Sequence, residues 1–123
     1  MAMADLTPEI DVVLRQFDAY NERDIDGIIA YYSEGARIID AGRGAFREEG
    51  RDAIRPVFKR VFDASPELHA NASNVFQVGS WVSVRSIAEG FMASGREGHR
   101  EWVEVYRVED GFITELHLFS GAD

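Results

Sequence analysis

Residues 12–40, VVLRQFDAYNERDIDGIIAYYSEGARIID, contain the pattern that decides the fold. Apolar residues first recur with a helical period, a short Asp-x-Asp-Gly segment follows at 24–27, and an apolar strand then runs into one carboxylate, Asp40. A carboxylate at the end of an apolar strand can lie where water is scarce, and its pKa then rises toward the range useful for proton transfer. The alternative is a turn-forming Asp that hydrogen-bonds its own backbone before Ala41 and Gly42.

The composition of the chain indicates one globular domain, residues 1–123. With 123 residues and 46% hydrophobic residues, the chain is long enough to bury its own core. It contains no cysteine, which excludes disulfides, thiolate metal sites and cysteine nucleophiles. No apolar run is long enough to span a membrane, and the first residues lack the features of a signal peptide. We therefore expect a cytoplasmic protein without a membrane partner.

The charges and histidines limit the partners further. A net charge of −9 repels phosphate backbones, so we expect no nucleic acid partner. The three histidines, His69, His99 and His117, lie in separate segments without the spacing of metal ligands. We therefore expect neither a metal site nor a cofactor.

The first half of the chain predicts three helices. Thr7 and Pro8 start the first helix, which extends to about Glu22. Asp24 caps a short second helix that includes Tyr32 and ends at the Ser-Glu-Gly segment that follows. A short strand, 36–40, and a glycine-rich loop, 41–50, precede the third helix, 51–64, where an internal proline, Pro56, is expected to kink or restart the helix.

The second half changes from a helical to an alternating period. We predict strands at 68–78, 81–92, 100–108 and 112–119, joined by turns and one longer hairpin loop. Helices first and an antiparallel meander after them indicate an α+β domain. Three N-terminal helices packed on a curved, mostly antiparallel sheet would enclose an apolar pocket.

The strand around Glu104 carries a second candidate carboxyl group. Alternation places Trp102, Glu104 and Tyr106 on one face and Val103 and Val105 on the other. If the first face lines the pocket, desolvation raises the pKa of Glu104 and keeps it a neutral hydrogen-bond donor. In the alternative register the valines face the core, and Glu104 faces solvent or a partner subunit.

Three segments in this order resemble the nuclear transport factor two-like superfamily, in particular its ketosteroid-isomerase and SnoaL-like branches. They are Asn-Glu-Arg-Asp-Ile-Asp-Gly-Ile at 21–28, Gly-Arg-Asp-Ala-Ile-Arg at 50–55, and Tyr-Arg-Val-Glu-Asp-Gly-Phe-Ile at 106–113. The resemblance extends from about residue 12 to 119. It implies a cone of helices against a strongly curved sheet, usually dimeric, with a deep apolar pocket.

The resemblance also implies roles for particular residues. Ketosteroid isomerase uses an aspartate base and an oxyanion hole made of a tyrosine and a protonated aspartic acid. By position, the base falls on Asp40, the acid donor on Glu104 and the tyrosine on Gln16, which is a departure from the family pattern. Tyr20 or Tyr32 could supply the phenol instead. Further residues expected to contact the substrate are apolar or aromatic: Phe17, Phe58, Phe62, Trp102, Leu116 and Leu118.

Two functions from different classes follow. The first is a cofactor-free isomerase, or a ring-closing or ring-opening enzyme of the lyase or hydrolase type, that moves a proton next to a carbonyl on a small hydrophobic molecule. The second is a non-catalytic ligand-binding or dimerisation domain, which the glutamine at position 16 favours. Val103, Val105 and Ile87 alternate with charged residues, and we therefore expect a homodimer through the outer face of the sheet.

Overall fold

A computed structural model of the protein describes residues 6–41, 45–92 and 98–119. The α+β architecture expected from the sequence is confirmed. None of the described helices is long and apolar enough to cross a membrane. The elements, in chain order, are α1 (Pro8–Asn21), α2 (Ile25–Ile29), β1 (Tyr32–Asp40), β2 (Ala45–Glu49), α3 (Arg51–Ala64), β3 (His69–Val78), β4 (Trp81–Phe91), β5 (Gly98–Glu109) and β6 (Phe112–Phe119).

The six strands form one sheet in the order β2-β1-β6-β5-β4-β3. Neighbouring strands are antiparallel except for β1 and β6, which pair in parallel. Each pairing is interrupted by a register shift, and such irregularities bend a sheet. The three helices pack on one face of the sheet, and the hydrophobic core lies between the two layers.

The predicted helix caps are present. The side chain of Thr7 accepts a hydrogen bond from the Ile10 N–H at 3.1 Å, and that of Asp24 accepts one from the Gly27 N–H at 3.0 Å. These bonds satisfy backbone donors that the first turn of a helix leaves free. The faces that the two long helices bury recur every three or four residues: Ile10, Val13, Gln16 and Phe17 in α1, and Ile54, Phe58 and Phe62 in α3.

Polar side chains fix the end of α1 against the start of β3. The Asn21 amide donates to the Ala70 carbonyl oxygen at 2.8 Å and accepts from the Ala70 N–H at 2.8 Å. The Arg23 guanidinium donates to the carbonyl oxygens of Pro66 and Leu68 at 2.7 and 2.6 Å. These bonds hold the last turn of α1, and with it Tyr20, over the inner face of the sheet.

Three details differ from the sequence prediction. The short second helix ends at Ile29, and β1 begins at Tyr32, because Tyr32 pairs with Ile113 of β6. The Ser-Glu-Gly segment at 33–35 therefore lies inside a strand and does not terminate a helix. Part of the predicted loop is strand β2, which pairs antiparallel with β1; residues 42–44 of that loop lie outside the described residues. Finally, α3 runs as one helix through Pro56, so of the two expected effects of this proline, a kink or a restart, the restart does not occur.

Gly90 lies at the register shift between β4 and β5, between Ala88 and Phe91. It adopts a φ of 77°, and a Cβ at this position would overlap the carbonyl oxygen of Glu67. Gly79 has a similar φ of 61° but open space around it. Substitution of Gly79 therefore measures the loss of stability that the positive φ causes without the overlap.

We expect Gly90→Ala to destabilise the protein by more than the roughly 1–2 kcal/mol that a left-handed residue costs, and Gly79→Ala by no more than that amount. Urea denaturation of both variants measures the difference. Equal losses in the two variants would show that the contact with Glu67 does not constrain the strand.

Candidate active site

A pocket of about 290 Å³ lies between the helices and the inner face of the sheet. It contains two carboxyl groups, one guanidinium group and one phenol in an otherwise mostly apolar wall. Its lining residues come from α1 (Tyr20), β1 (Ile38, Asp40), α3 (Val57, Phe58, Val61), β4 (Phe91), β5 (Arg100, Trp102, Glu104) and β6 (Leu116, Leu118).

A smaller cavity of about 40 Å³ continues the pocket toward the core. The two spaces share five lining residues, so Glu104 and Tyr20 face both of them. A space of this size can hold a water molecule or a small polar group of a ligand. The residues that line only the inner cavity are Gln16, Phe17, Ala70, Ser86 and Tyr106.

The strand register places the two carboxyl groups in one row. Asp40 of β1 is paired with Leu118 of β6, and Leu118 is paired in turn with Glu104 of β5. Since neighbouring strands are about 4.8 Å apart, the Cα atoms of Asp40 and Glu104 are separated by roughly 10 Å. Both side chains line the same pocket, and Leu118 forms the wall between them.

The carboxyl group of Glu104 is buried, with 8% of the residue exposed. One oxygen accepts a hydrogen bond from the Trp102 indole N–H at 2.5 Å, and the other accepts from the Tyr106 hydroxyl at 2.5 Å. Burial raises the pKa of Glu104, and the two hydrogen bonds oppose this because they favour the charged form. On balance the pKa of Glu104 is raised, which favours a neutral acid in the folded state.

Tyr20 and Tyr32 have different environments. Tyr32 is fully buried and donates its hydroxyl to the Gln16 amide oxygen at 2.8 Å. Tyr20 lines the pocket, and its hydroxyl has no hydrogen-bond partner among the described residues. Burial, followed by the charge of Glu104, raises the pKa of Tyr20, so this phenol stays protonated and remains a donor.

The structure brings most of the predicted site residues together. Tyr20, Asp40, Phe58, Trp102, Glu104, Leu116 and Leu118 line the pocket, and Gln16 and Phe17 line the inner cavity. Two predicted residues line neither space. Tyr32 packs against Phe58 and donates a hydrogen bond to Gln16, and Phe62 packs edge-on against Tyr20 with 5.0 Å between ring centroids. Both stand one layer behind the pocket wall.

The sequence prediction assigned no site role to eight residues that line these spaces: Ile38, Val57, Val61, Ala70, Ser86, Phe91, Arg100 and Tyr106. The alternation of β5 contained the signal for two of them. Since Trp102 and Glu104 face inward, Arg100 and Tyr106 must share that face. Phe91 follows Gly90, and nothing in the sequence around it predicts that it lines the pocket.

The raised pKa of Glu104 predicts an effect on stability. The folded state holds the Glu104 proton more tightly than the unfolded chain, so this contribution is complete below about pH 4.5 and is lost as pH rises through the raised pKa. Each unit of upward shift corresponds to about 1.4 kcal/mol. In urea denaturation between pH 4 and pH 8, Glu104→Gln should therefore gain stability relative to the wild type as pH rises above 4.5, and the gain should stop once pH exceeds the raised pKa.

Glu101→Gln provides a control of opposite sign. The hydrogen bonds from His99 and Arg85 lower the pKa of Glu101, so its contribution to stability is present above about pH 4.5 and is lost as pH falls through the lowered pKa. The stability of Glu101→Gln relative to the wild type should therefore fall as pH rises toward 4.5. A constant difference between Glu104→Gln and the wild type across the range of the urea titrations would contradict the buried-acid assignment.

Comparisons with known proteins identify the family. The family described as the SnoaL-like domain matches residues 13–116. No curated protein matches the chain. Similar solved structures include a cystatin-fold protein from Novosphingobium aromaticivorans, with 23% identity, a TM-score of 0.79 and coverage of 93% of this chain and 98% of that one.

Two further structures carry functional descriptions. A candidate polyketide cyclase from Sinorhizobium meliloti has 23% identity and a TM-score of 0.77, with 96% of this chain and 98% of that one covered. TerC, co-crystallised with polyporic acid, has 18% identity and a TM-score of 0.78, with 93% and 92% covered. These likenesses show the shared fold. Because the family match spans most of its length, the chain belongs to the SnoaL-like domain family.

Proposed function

We propose that the protein is a cofactor-independent isomerase or cyclase that moves a proton next to a carbonyl on a small hydrophobic substrate. One observation carries the proposal: two carboxyl groups in different environments, Asp40 and Glu104, face one apolar pocket together with the phenol of Tyr20. Such a reaction needs an apolar site, a base and donors for the negative charge that develops on the carbonyl oxygen. The pocket volume of about 290 Å³ suits a molecule of one to three rings.

Asp40 has the role of the base. It is partly buried at the end of β1, and its carboxylate would accept the proton from the carbon next to the carbonyl. The electron pair of the broken C–H bond moves into the carbonyl, whose oxygen becomes negative. Asp40 then returns the proton to another carbon in isomerisation. In ring closure the enolate re-forms its carbonyl as its carbon bonds to the carbon of a second carbonyl, and the oxygen of that second carbonyl takes the proton from Asp40.

Tyr20 and Glu104 have the role of oxyanion donors. The hydroxyl of Tyr20 is available to a ligand oxygen, because no described residue accepts it. Glu104 in its neutral form can donate a hydrogen bond to the same oxygen or to the Tyr106 oxygen 2.5 Å away. In the second case the Tyr106 hydroxyl is released to donate into the inner cavity. Fixed donors in a site that excludes water stabilise a developing oxyanion strongly.

The comparisons support a small-molecule substrate. Among the proteins of the same fold, one is a candidate polyketide cyclase and one was crystallised with polyporic acid. A fold supports many activities, so these relatives bear on the kind of ligand and not on its identity.

A non-catalytic ligand-binding domain is the second candidate, and the contact between Gln16 and Tyr32 favours it. At the position where the resemblance expects a phenol facing the ligand, Gln16 instead accepts the Tyr32 hydroxyl. This uses the amide oxygen to hold α1 against β1. The donor set would then rest on Tyr20 and Glu104 alone.

Substitution of Asp40 separates the two candidates. With cyclic β,γ-unsaturated ketones as probes, formation of the conjugated enone can be followed by its ultraviolet absorbance. Asp40→Asn should lower turnover by roughly a hundredfold or more, the scale of a positioned base, and should leave folding and ligand binding intact. Asp63→Asn is the matched control, because Asp63 is exposed on α3 and forms an ion pair with Lys59.

Tyr20→Phe should also reduce turnover, because it removes the available phenol and keeps the ring that packs on Phe62. If the wild type binds ligands in the pocket but neither it nor the control shows turnover, the protein is a non-catalytic ligand-binding domain. Equal turnover in Asp40→Asn and the wild type would remove Asp40 from the mechanism.

We also propose that the protein forms a homodimer through the outer face of the sheet. This face exposes a group of large apolar side chains, Phe76, Val78, Trp81, Val103 and Phe119. Two-fold pairing of one such face with its copy is the commonest way to cover it.

Light scattering at high protein concentration should therefore give twice the monomer mass of 13.8 kDa. Val103→Glu should shift the protein to the monomer, because it places a charge in the centre of the paired face. Asn71→Glu, which adds the same charge near the edge of the sheet, serves as the control. A wild-type protein that remains monomeric at high concentration would contradict the proposal.

A further inference from the structure

Arg100 is a cation that the proposed chemistry does not use. It lies on the inward row of β5, two residues before Trp102 and four before Glu104, and it lines the pocket. Because a strand rises about 3.3 Å per residue, the Cα atoms of Arg100 and Glu104 are roughly 13 Å apart along the strand. The two groups therefore mark opposite ends of the pocket wall.

Among the described residues, the contacts of Arg100 leave its hydrogen-bonding edge available. Its guanidinium lies over the Phe91 ring, 5.4 Å from the centroid, and Phe91 packs edge-on against Trp102 at 6.0 Å. Stacking on a ring orients the planar group but does not satisfy its N–H donors. Within the described part of the chain, no carboxylate oxygen lies within ion-pair distance of Arg100.

The chain has 22 acidic residues for 13 lysines and arginines, so carboxylates are plentiful. Other arginines, including Arg15, Arg55, Arg85 and Arg107, form ion pairs with nearby carboxylates. Arg100 is instead partly buried and held by aromatic rings at the wall of an apolar pocket. An arginine in this setting is suited to bind a carboxylate through two parallel hydrogen bonds.

We propose that Arg100 binds an anionic group of the ligand, so that the substrate class is a flat apolar molecule with a carboxylate at one end and the reacting carbonyl at the other. This inference rests on the proposed function for the identity of the pocket as the substrate site. The anion occupies the Arg100 end, because the guanidinium attracts it there. The carbonyl end is thereby directed toward Glu104 and Tyr20.

The test compares two probes of the same shape, naphthalene-2-carboxylate and naphthalene-2-carboxamide, by isothermal titration calorimetry at pH 7. The carboxylate is fully ionised at this pH, and the amide carries no charge. The protein variants are Arg100→Gln, Arg100→Lys and, as the matched control, Arg60→Gln, which removes the same charge from an exposed position on α3.

We expect Arg100→Gln to weaken carboxylate binding by roughly tenfold or more, the scale of a charge-assisted bidentate contact, and to leave amide binding unchanged. Arg100→Lys should retain part of the preference for the carboxylate over the amide, because it keeps the charge but loses the planar guanidinium group with its paired donors. Arg60→Gln should bind both probes as the wild type does. Carboxylate affinity of the wild type should fall with added NaCl while that of the amide stays constant.

Two other outcomes overturn the inference, and they have different consequences for the proposed function. If Arg100→Gln weakens both probes alike or neither, Arg100 only shapes the wall, and the proposed function is unaffected. If the wild type binds neither probe, the pocket is not a site for such molecules, and the inference falls together with the proposed function. Should Arg100→Gln fail to fold, the Arg100→Lys variant and the salt dependence decide between the same outcomes.

Discussion

The burial of the Glu104 carboxyl group is the constraint on which the site depends. An ionised carboxylate in an apolar interior costs several kcal/mol unless it is paired or gains a proton. Here Trp102 and Tyr106 bond its two oxygens, but desolvation is larger and raises the pKa of Glu104. Both hydrogen-bonding partners lie on the same strand as Glu104, which fixes the carboxyl group without a contribution from a loop. A neutral acid at this place is what allows a second carboxylate, Asp40, to share the pocket without strong repulsion.

The parallel pairing of β1 with β6 carries Asp40 to that shared pocket. It sets Asp40, Leu118 and Glu104 in one row across three strands, so the spacing of the two carboxyl groups follows from the sheet. The bonds from Asn21 and Arg23 to the start of β3 then place Tyr20 above the row. The polar groups therefore stand on helices and strands, which hold a site more accurately than loops do. The residues that line the pocket, including its arginine, select the ligand.

The sequence predicted the parts of this arrangement that depend on local pattern. Helix caps at Thr7 and Asp24 and the inward face of β5 can be read from residue type and period. The sequence prediction failed where contacts between distant segments determine the structure. Tyr32 continues a helical pattern, yet its backbone pairs with Ile113, 81 positions later in the chain. Likewise, no local signal tells that the hydroxyl of Tyr32 reaches Gln16 while that of Tyr20 faces the pocket. The partners of the side chains, and so the choice between two tyrosines, needed the tertiary structure.

The protonation of Glu104 tests the central claim most directly. The side-chain carboxyl signals of the protein labelled with ¹³C-glutamate can be followed by NMR through a pH titration and assigned with the Glu104→Gln variant. A midpoint for Glu104 clearly above the ordinary value of 4.5 is the result that this account predicts. A midpoint at or below 4.5 would show an ordinary carboxylate. In that case the pocket would hold two like charges, and the pairing of a base with a neutral acid donor would be wrong.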